Sequence, residues 1–459
     1  GWLAIVGLAA IFFGSDSWAV CYVNQNATGK NNGTTWTDAY VHPQLALLNG
    51  CTEIWVAKGV YTPVLAGSDP TVSFDIPAGT KMYGGFAGGE SSVDQRLPTV
   101  NLTVLSGDVE HNDDSSGEAK DLEFWANVNP YFIRGKNSFH VVTMFGPTAS
   151  PITGDTILDG FLITAGAAMS DTEASGGAVY CRSDSDVSGE CSPTLRNLIL
   201  VGNTAKQNGG ALAFASGKAR PSIVNSLFLT NGWSPDAGGA IYVAATDAAS
   251  ELAISGCMFF NNYAGLNGGA VETQIKTTLV NTTFLENTAF NGIGGAIHIT
   301  SNGPLSVVNA TFSQNFSRHG GNAIANELDG PPAGSGTISL FNSIVWGNSG
   351  IGTSSDILNG PSLSAYAGSD ILEQGCPDFR SVCIDVSDEN PKLALPAFDE
   401  QGLGNVLPGA GGSAIDRGDD AVCPSADERG VLRPQGAHCD IGAFEWKVSD
   451  DVIFRNGFQ

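Results

Sequence analysis

The chain has 459 residues, of which 59 are glycine, 15% are charged and 42% are hydrophobic. This composition excludes a disordered chain and a bundle of long helices, and it indicates a β-rich protein with many turns. The formal net charge of -25 makes nucleic acid and anionic membranes poor partners, and we interpret it mainly as a source of solubility.

The first 19 residues are typical of a signal peptide. An apolar run over residues 3–13 is too short to span a bilayer, and the tripeptide SWA at its end is a small-x-small cleavage pattern. The basic n-region of a signal peptide is missing, so we expect the sequence to be truncated at its start. We predict that residues 1–19 are removed on export and that the mature chain has no transmembrane segment.

Two short phrases alternate through the middle of the chain. Gly-Gly pairs are 33, 29, 30, 26 and 26 residues apart and begin at Gly176, Gly209, Gly238, Gly268, Gly294 and Gly320. A second phrase, apolar-x-x-Asn, ends at Asn203, Asn231, Asn262, Asn287, Asn315 and Asn348. Phenylalanine opens the second phrase at Phe228, Phe259, Phe284 and Phe312. Two interleaved motifs over six cycles indicate a structural repeat rather than glycine-rich low complexity.

The spacing of the repeat predicts how the chain is wound. Short apolar runs rich in Val, Ile, Leu and Phe leave no room for helices, and a period of about 29 residues fits one coil of three strands and three turns. Coils stacked in register form parallel sheets with strands about 4.8 Å apart. Glycine suits corners with positive φ, and Asn tolerates the left-handed conformation and can stack as a hydrogen-bonded ladder. We therefore predict an all-β fold, a single-stranded parallel β-helix.

Side-chain direction follows from the strand after each Gly-Gly corner, because alternate residues of a strand point to opposite faces. The interior is predicted to contain Val179, Cys181, Leu212, Phe214, Ile241, Val243, Val271, Thr273, Ile297 and Ile299. The position between each of these pairs points outward and is occupied by Tyr180, Ala213, Tyr242, Glu272 and His298. We expect any chemistry to lie in this outward column.

Glu272 and His298 are the best candidates for an acid–base pair, and hence for catalytic and ligand-binding residues. Neighbouring strands would bring them to about 5 Å, and Tyr242 on the preceding coil would offer a ring on which a sugar could stack. The other interpretation is that all three are ordinary solvated side chains. If the pair is catalytic, replacing either member with Ala should abolish cleavage of an acidic glycan.

Nine cysteines in an exported chain indicate disulfides. Their order suggests four pairs, which are Cys21 with Cys51, Cys181 with Cys191, Cys376 with Cys383, and Cys423 with Cys439. Cys257 is left over, and its apolar neighbours predict a buried free thiol. The sequence has no CxxC motif and no clustered Cys/His spacing, so we expect no zinc site.

Two acidic segments, residues 107–114 and residues 184–190, carry oxygen ligands of the kind that Ca2+ prefers. Neither segment has the spacing of an EF-hand, and solvated loop carboxylates are the other interpretation. We predict that the protein has no cofactor and no metal, with Ca2+ at these loops as the alternative.

The two phrases GGA[VIL] and FxxN together resemble the polymorphic outer-membrane-protein repeats of bacterial surface proteins, which form pectin-lyase-like β-helices. The best matches are IVNSLFLTN, LVNTTFLEN and VVNATFSQN. The segments YVNQNATGKNNGTTWTDAY, EIWVAKGVYTP and KMYGGFAGGE are similar to the start of secreted bacterial right-handed β-helix proteins, where a cap precedes the first coils. This resemblance implies a right-handed coil and an N-terminal cap.

The last part of the chain resembles a separate module. NSIVWGNSG and GGSAIDRGDDAVCPSADERGVLRPQGAHCDIGAFEW are similar to the choice-of-anchor Q domain of exported β-helix proteins, and VIFRNGFQ is similar to a short tail of some exported proteobacterial proteins. The predicted organisation is a signal peptide at 1–19, an N-terminal cap at 20–60, a parallel β-helix at 61–375, a disulfide-containing choice-of-anchor Q-like module at 376–446, and a tail at 447–459.

These features predict an exported monomer that is secreted or held at a bacterial cell surface. We favour non-catalytic binding or adhesion to a glycan or another cell surface, because long stacked sheets offer a large rigid face. The pectin-lyase-like resemblance leaves a polysaccharide lyase or glycoside hydrolase acting on an extended acidic glycan as an alternative. A purely structural spacer is the third interpretation.

Overall fold

A computed structural model of the chain describes residues 20–64, 67–113, 132–184, 188–234, 237–300, 303–326, 337–352, 354–359, 364–377, 381–394, 397–398 and 404–447. The predicted signal peptide and the predicted tail after residue 447 lie outside the described residues. Within them one α-helix, α1 (Pro43–Leu48), begins where the His42 side chain accepts a hydrogen bond from the backbone N–H of Gln44. A short 3-10 helix spans Val93–Gln95.

Strands make up nearly all the remaining regular structure. In chain order they are β1 (Cys21–Val23), β2 (Glu53–Ala57), β3 (Gly59–Tyr61), β4 (Phe74–Asp75), β5 (Lys81–Phe86), β6 (Thr103–Ser106), β7 (Val142–Phe145), β8 (Ile157–Asp159), β9 (Leu162–Thr164), β10 (Ala167–Ala168), β11 (Val179–Arg182), β12 (Thr194–Arg196), β13 (Ile199–Val201), β14 (Thr204–Ala205), β15 (Leu212–Ser216), β16 (Ser222–Val224), β17 (Leu227–Leu229), β18 (Gly232–Ser234) and β19 (Ile241–Ala245). They continue with β20 (Glu251–Phe260), β21 (Tyr263–Ala264), β22 (Val271–Thr273), β23 (Lys276–Leu285), β24 (Thr288–Ala289), β25 (Ile297–Ile299), β26 (Leu305–Val308), β27 (Thr311–Ser313), β28 (Phe316–Ser317), β29 (Ile324–Asn326), β30 (Thr337–Phe341), β31 (Ile344–Trp346), β32 (Ser349–Gly350), β33 (Ile357–Asn359), β34 (Ser364–Gly368), β35 (Ile371–Leu372), β36 (Val382–Ile384), β37 (Ala397–Phe398) and β38 (Gly404–Asn405).

Three long ladders of parallel strands form the walls of the coil in the described residues. The first ladder is β1-β2-β5-β8-β12-β16-β20-β23-β26-β30-β34-β36, the second is β3-β6-β9-β13-β17-β20-β23-β27-β31-β35, and the third is β4-β7-β11-β15-β19-β22-β25-β29-β33. The ten-residue strands β20 and β23 belong to both the first and the second ladder. Ile241 pairs with Val271, and Val271 pairs with Ile297, so successive coils stack in register. The predicted all-β parallel β-helix is confirmed.

The interior of the coil has the composition that strand alternation predicts. All ten residues of the predicted inward column are at most 1% exposed. Phe228, Phe259, Phe284 and Phe312 stack with ring centroids 4.5, 4.7 and 4.8 Å apart, which is about the spacing of neighbouring strands. The repeat therefore places the same apolar side chain over itself in successive coils.

The sequence predicted two roles for asparagine, which are a hydrogen-bonded ladder and the left-handed backbone conformation. In the structure these roles belong to different columns of residues. The first column consists of Asn203, Asn231, Asn262, Asn287, Asn315 and Asn348. The side-chain Nδ2 of each asparagine donates to the Oδ1 of the next asparagine in the column, up to Asn348, at 2.9–3.1 Å. These amides form the buried ladder. The left-handed conformation belongs to other columns.

One left-handed column lies at the bend between the first and the second ladder, and we call it the asparagine bend. Its members have φ between 47° and 81°, and they are Gly160, Asn197, Asn225, Gly256, Asn281, Asn309 and Asn342. A short polar side chain or glycine tolerates this conformation, whereas most other residues are strained there. Seven successive coils therefore turn in the same way.

The C-terminal part of the chain packs on the outside of the second ladder. Val406, Leu407 and Phe444 join a cluster of buried apolar residues with outward-facing side chains of that ladder, including Ile199 and Leu227. This cover explains why the strands β9, β13 and β17 are buried on both faces. The predicted domain boundaries stay predictions, because packing alone does not fix them.

The described residues contain four disulfides, Cys21–Cys51, Cys181–Cys191, Cys376–Cys383 and Cys423–Cys439, which are the pairs that the sequence order suggests. Cys257 is a buried free cysteine, and burial raises the pKa of its thiol. No helix among the described residues has the length and apolar character needed to cross a membrane.

Candidate functional site

The structure brings the three predicted site residues together. Tyr242 pairs with Glu272, and Glu272 pairs with His298, on the neighbouring strands β19, β22 and β25. The His298 Nδ1 lies 2.8 Å from the Glu272 Oε2. A proton can be shared across this distance, so the geometry that an acid–base pair requires is present.

The accessibility of these residues differs from the expectation. Glu272 is 5% exposed and His298 is 3% exposed, whereas the sequence placed both on an open sheet face. Tyr242 is half-buried, and burial, with a smaller effect of the Glu272 carboxylate, raises the pKa of its phenol. The outward column is therefore packed over at these coils. A catalytic role for the pair stays a prediction.

A larger opening lies elsewhere on the molecule. A cavity of about 750 Å³ runs along the asparagine bend, between a loop that includes Val93 and Leu102 on one side and the segment Pro424 to Gly430 on the other. We call it the bend groove. Neither Glu272 nor His298 lines it, so the sequence-predicted site and the bend groove are separate places.

The floor of the bend groove combines amide and apolar groups. Its polar part comes from Asn197, Asn225 and Asn281 of the asparagine bend, with Ser255 and Gly256 between them. Its apolar part comes from the outward side chains of Leu162, Ile199 and Leu227. The floor extends over five successive coils, so its length is about 19 Å at the spacing of parallel strands. An extended ligand fits this shape.

The wall nearer the N-terminus is fixed by a buried carboxylate. The Asp159 side chain is fully buried, and its Oδ2 accepts from the Arg96 Nη2 at 2.6 Å and from the Arg196 Nε at 2.5 Å. The Asp159 Oδ1 accepts from the Asn197 Nδ2 at 2.8 Å. Charge-assisted bonds of this kind are strong and directional. They hold the Arg96 and Asn197 side chains, both part of the groove lining, in fixed positions.

The opposite wall is tied to the coil by side-chain hydrogen bonds. The Asn281 Nδ2 donates to the backbone carbonyl of Ala426 at 2.7 Å, and the Thr283 hydroxyl donates to the Glu428 Oε2 at 2.6 Å. The Arg429 guanidinium donates to the Asp427 Oδ2 from two nitrogens, at 3.0 and 3.1 Å. The segment that closes the groove is therefore anchored to the coil at these two points and is braced by an ion pair of its own.

Two polar groups, one in this wall and one in the floor beside it, are of chemical interest. Glu428 is partly exposed as a residue, but its carboxyl is enclosed, and loss of solvation raises the pKa of Glu428 well above its ordinary value. The buried Oδ1 of Asn281 has no hydrogen-bond partner within the part of the chain that the structure describes. A buried acceptor without a partner is costly, so a ligand that donates a hydrogen bond there would be favoured.

Sequence reasoning missed the bend groove. Its lining comes from segments that are more than 300 residues apart in the chain, from Val93 to Gly430. One signal was present, because the repeat segments IVNSLFLTN, LVNTTFLEN and VVNATFSQN each contain a second asparagine three positions before the phenylalanine. That asparagine is the residue of the bend.

Within the described ranges, no group of three or more His, Cys, Asp or Glu side chains is placed to hold a metal ion. In the first acidic segment, Asp108 accepts from the backbone N–H groups of Asn112 and Asp113, and Asp113 accepts from the side chain of Asn137. Asp114 and residues 185–187 of the second segment lie outside the described residues. Binding of Ca2+ by these loops stays a prediction.

Comparison with known proteins gives partial similarities. No protein-family model matches the chain. Over 188 residues the chain is 27% identical to the "Probable autotransporter YfaL" of Escherichia coli strain K12, a match that covers 35% of this chain and 14% of that protein. The chain thus spans a small part of the length of this relative. The crystal structure of tailspike protein 3 of bacteriophage CBA120 matches with a TM-score of 0.27 and 11% identity, over 84% of this chain and 66% of that chain.

Proposed function

We propose that the chain is an exported, surface-associated β-helix protein, a monomer, that binds an extracellular saccharide in the bend groove. The observation that carries this proposal is the cavity of about 750 Å³ with a floor of amide and apolar side chains. A sugar presents hydroxyl groups at its rim and C–H groups on its faces. The floor offers a partner for each of these surfaces.

Export is supported by two observations. The described part of the chain has four disulfides, and disulfides persist in oxidising compartments and are rare in reducing ones. The partial similarity to an autotransporter is compatible with a place at the cell surface. The resemblances to polymorphic outer-membrane-protein repeats and to a choice-of-anchor Q domain belong to this proposal as well, and so does a role in adhesion.

The decisive experiment compares two tryptophan variants on a glycan array. Ser255 lines the groove and is half-buried on the outer face of β20, so Ser255→Trp fills the floor without entering the interior. Ser306 is an equally half-buried serine on the same ladder, on β26, and does not line the groove. We expect Ser255→Trp to abolish binding and Ser306→Trp to retain it. Equal binding by both variants would contradict the proposal.

A second candidate function is hydrolysis of the bound glycan, and one observation favours it. The enclosed Glu428 carboxyl has a raised pKa, which is what a general acid requires, and Asp94 and Asp427 also line the groove. Assays for new reducing ends and for unsaturated products on any glycan that binds would separate the two functions. Products that disappear in Glu428→Gln would favour hydrolysis, whereas binding without products favours the first proposal.

Variants of Glu272 and His298 test whether catalysis takes place at the outward column instead. Products that disappear in Glu272→Ala or His298→Ala, and persist in Glu428→Gln, would move catalysis to that column and would favour a lyase or hydrolase of acidic glycan. A protein that neither binds nor cleaves any glycan would be a structural spacer.

A further inference from the structure

We infer that the bend groove selects neutral saccharides and rejects acidic ones such as uronic acid polymers. The inference rests on the proposed function, since it concerns the ligand of the same groove. It narrows that function by excluding the acidic glycans that a pectin-lyase-like fold would suggest. The charges that line the groove, and the partners of those charges, support this selectivity.

Recognition of an acidic sugar requires a cation with free donors. Among the described residues that line the groove, the cations are Arg96 and Arg429. Arg96 donates to the Asp159 carboxylate from Nη2 and to the backbone carbonyls of Gly84 and Asp159 from Nη1. Its guanidinium also lies 5.3 Å from the centre of the Tyr83 ring. Arg96 is thus held in place by the protein itself.

Arg429 is held in the same way. Its Nε and Nη2 donate to the Asp427 carboxylate, and its Nη2 also donates to the backbone carbonyl of Glu445 at 2.6 Å. The guanidinium carbon lies 5.4 Å from the centre of the Phe444 ring. An acidic ligand would therefore have to compete with an internal carboxylate at either arginine, and this competition reduces the gain from the new contact.

The remaining charges of the lining are negative. Asp94 is exposed at the start of the 3-10 helix, and Asp427 is paired with Arg429. The chain as a whole carries a formal net charge of -25, so the field around the groove repels anions. A carboxylated or sulfated sugar would meet this repulsion without a free cation to compensate for it.

The uncharged groups of the lining suit hydroxyl groups instead. The Asn281 Oδ1 is a buried acceptor without a partner among the described residues, and a sugar hydroxyl can donate to it. The Glu428 carboxyl has a raised pKa, which favours its uncharged form, and in that form it donates as well as accepts. Val93 and Pro98, which are partly exposed in the lining, provide an apolar surface for a sugar face.

The test is binding of neutral hexose oligomers and uronic acid oligomers of equal length to the full chain, measured by calorimetry at fixed salt. We expect the neutral oligomers to bind at least about tenfold more tightly. Thr99→Arg adds an unpaired cation to the groove lining. We expect this variant to gain at least about tenfold in affinity for the uronic acid oligomers. Ser255→Trp should remove all binding, and Ser306→Trp should leave it unchanged.

The outcomes test separately whether the groove binds a saccharide and whether it selects neutral saccharides. Uronic acid oligomers that bind the unmodified chain more tightly than neutral ones, and are lost in Ser255→Trp, would overturn the inference and leave the proposed function standing. Binding that Ser255→Trp does not affect, or no binding of either class, would overturn the proposed function and the inference with it.

Discussion

The asparagine bend has a covered stretch and an open stretch, and the two use the same residue differently. In the covered stretch, the Asn309 Nδ2 donates to the backbone carbonyls of Asp440 and Gly442, and the Asn342 side chain exchanges two hydrogen bonds with the backbone of Asp419. In the open stretch, Asn197 and Asn225 line the bend groove. All four asparagines have φ near 50°. The turn itself is therefore a matter of folding, and its further role depends on what lies over it.

The outward side chains of the second ladder change at the same point. In the covered coils they include Thr283 and Thr311, which bond to Glu428 and to the backbone N–H of Ala443. In the open coils the same position is occupied by Leu162, Ile199 and Leu227. The C-terminal part thus bonds to the coil through the polar groups of Thr283 and Thr311, whereas Ile199 and Leu227 meet it in an apolar cluster.

The largest effect on the difference between covered and open coils is expected from removing the disulfide of the C-terminal part that covers the coil. Cys423 and Cys439 close a loop with a sequence separation of 16 that contains the groove wall. Replacing both with Ser should destabilise the C-terminal part by about 3 kcal/mol, because the unfolded loop gains freedom, and should weaken binding in the groove. Denaturant unfolding and calorimetry would measure both effects.

The matched control is the Cys181–Cys191 disulfide, which lies in the coil and does not line the groove. Replacing that pair should lower stability without changing the affinity for the saccharide. An unchanged affinity in the Cys423/Cys439 variant would show that the cover does not shape the groove.

A smaller effect is expected from glycine at the bend, where positive φ removes the usual penalty for glycine. Asn309→Gly should destabilise the protein by about 2 kcal/mol, because it removes two buried hydrogen bonds to the carbonyls of Asp440 and Gly442, which keep the Arg433 guanidinium as a donor. Asn225→Gly should cost almost nothing, since Gly256 already occupies the same position on the next coil. Equal losses in the two variants, measured by denaturant unfolding, would remove the distinction between covered and open coils.

The smallest change is expected from replacing one buried carboxyl of the C-terminal part and following the pH dependence of stability. Burial raises the pKa of Asp440 from 3.8 to about 7 and raises that of Glu428 well above its ordinary value. A carboxyl whose pKa is higher in the folded state stabilises the fold fully below its ordinary pKa, and this contribution is lost as pH rises towards the folded pKa. The melting temperature should therefore fall between pH 4 and pH 7, on account of Asp440 and of Asp356 and Asp370 in the coil, whose pKa values burial raises to about 6 and about 8.

The variant Glu428→Gln should reduce this fall by about 2 °C, because the amide keeps its acceptor for Thr283 and does not ionise. Melting curves of the unmodified chain and of the variant at several pH values would measure the difference. A melting temperature that rises over this range, or a variant with an unchanged pH profile, would contradict the assignment of the buried carboxyls.

The coil could be predicted from sequence because its information is local and repeated. Each coil carries its own Gly-Gly corner, its own inward residues such as Ile241 and Val271, and its own ladder asparagine, so one correct coil predicts the next. The stacking of Phe259 on Phe284 follows in the same way. The pairing of Glu272 with His298 was predictable for this reason as well.

The position of the bend groove could not be predicted, because it depends on contacts across the whole chain. The contact between Asn281 and Ala426 joins residues 145 positions apart, and the repeat pattern does not predict it. The raised pKa of Glu428 depends on the same contact surface. The role of an outward residue is set by what packs over it, and strand alternation gives only its direction.

The most direct test of the account is hydrogen–deuterium exchange of the chain with and without a saturating neutral oligosaccharide. The account predicts slower exchange in the open stretch of the bend, around Asn225 and Ser255, and in the segment around Glu428, with no change around Tyr242 and His298. Protection confined to the strands that carry Tyr242 and His298 would contradict it, and would place the ligand on the outward column instead.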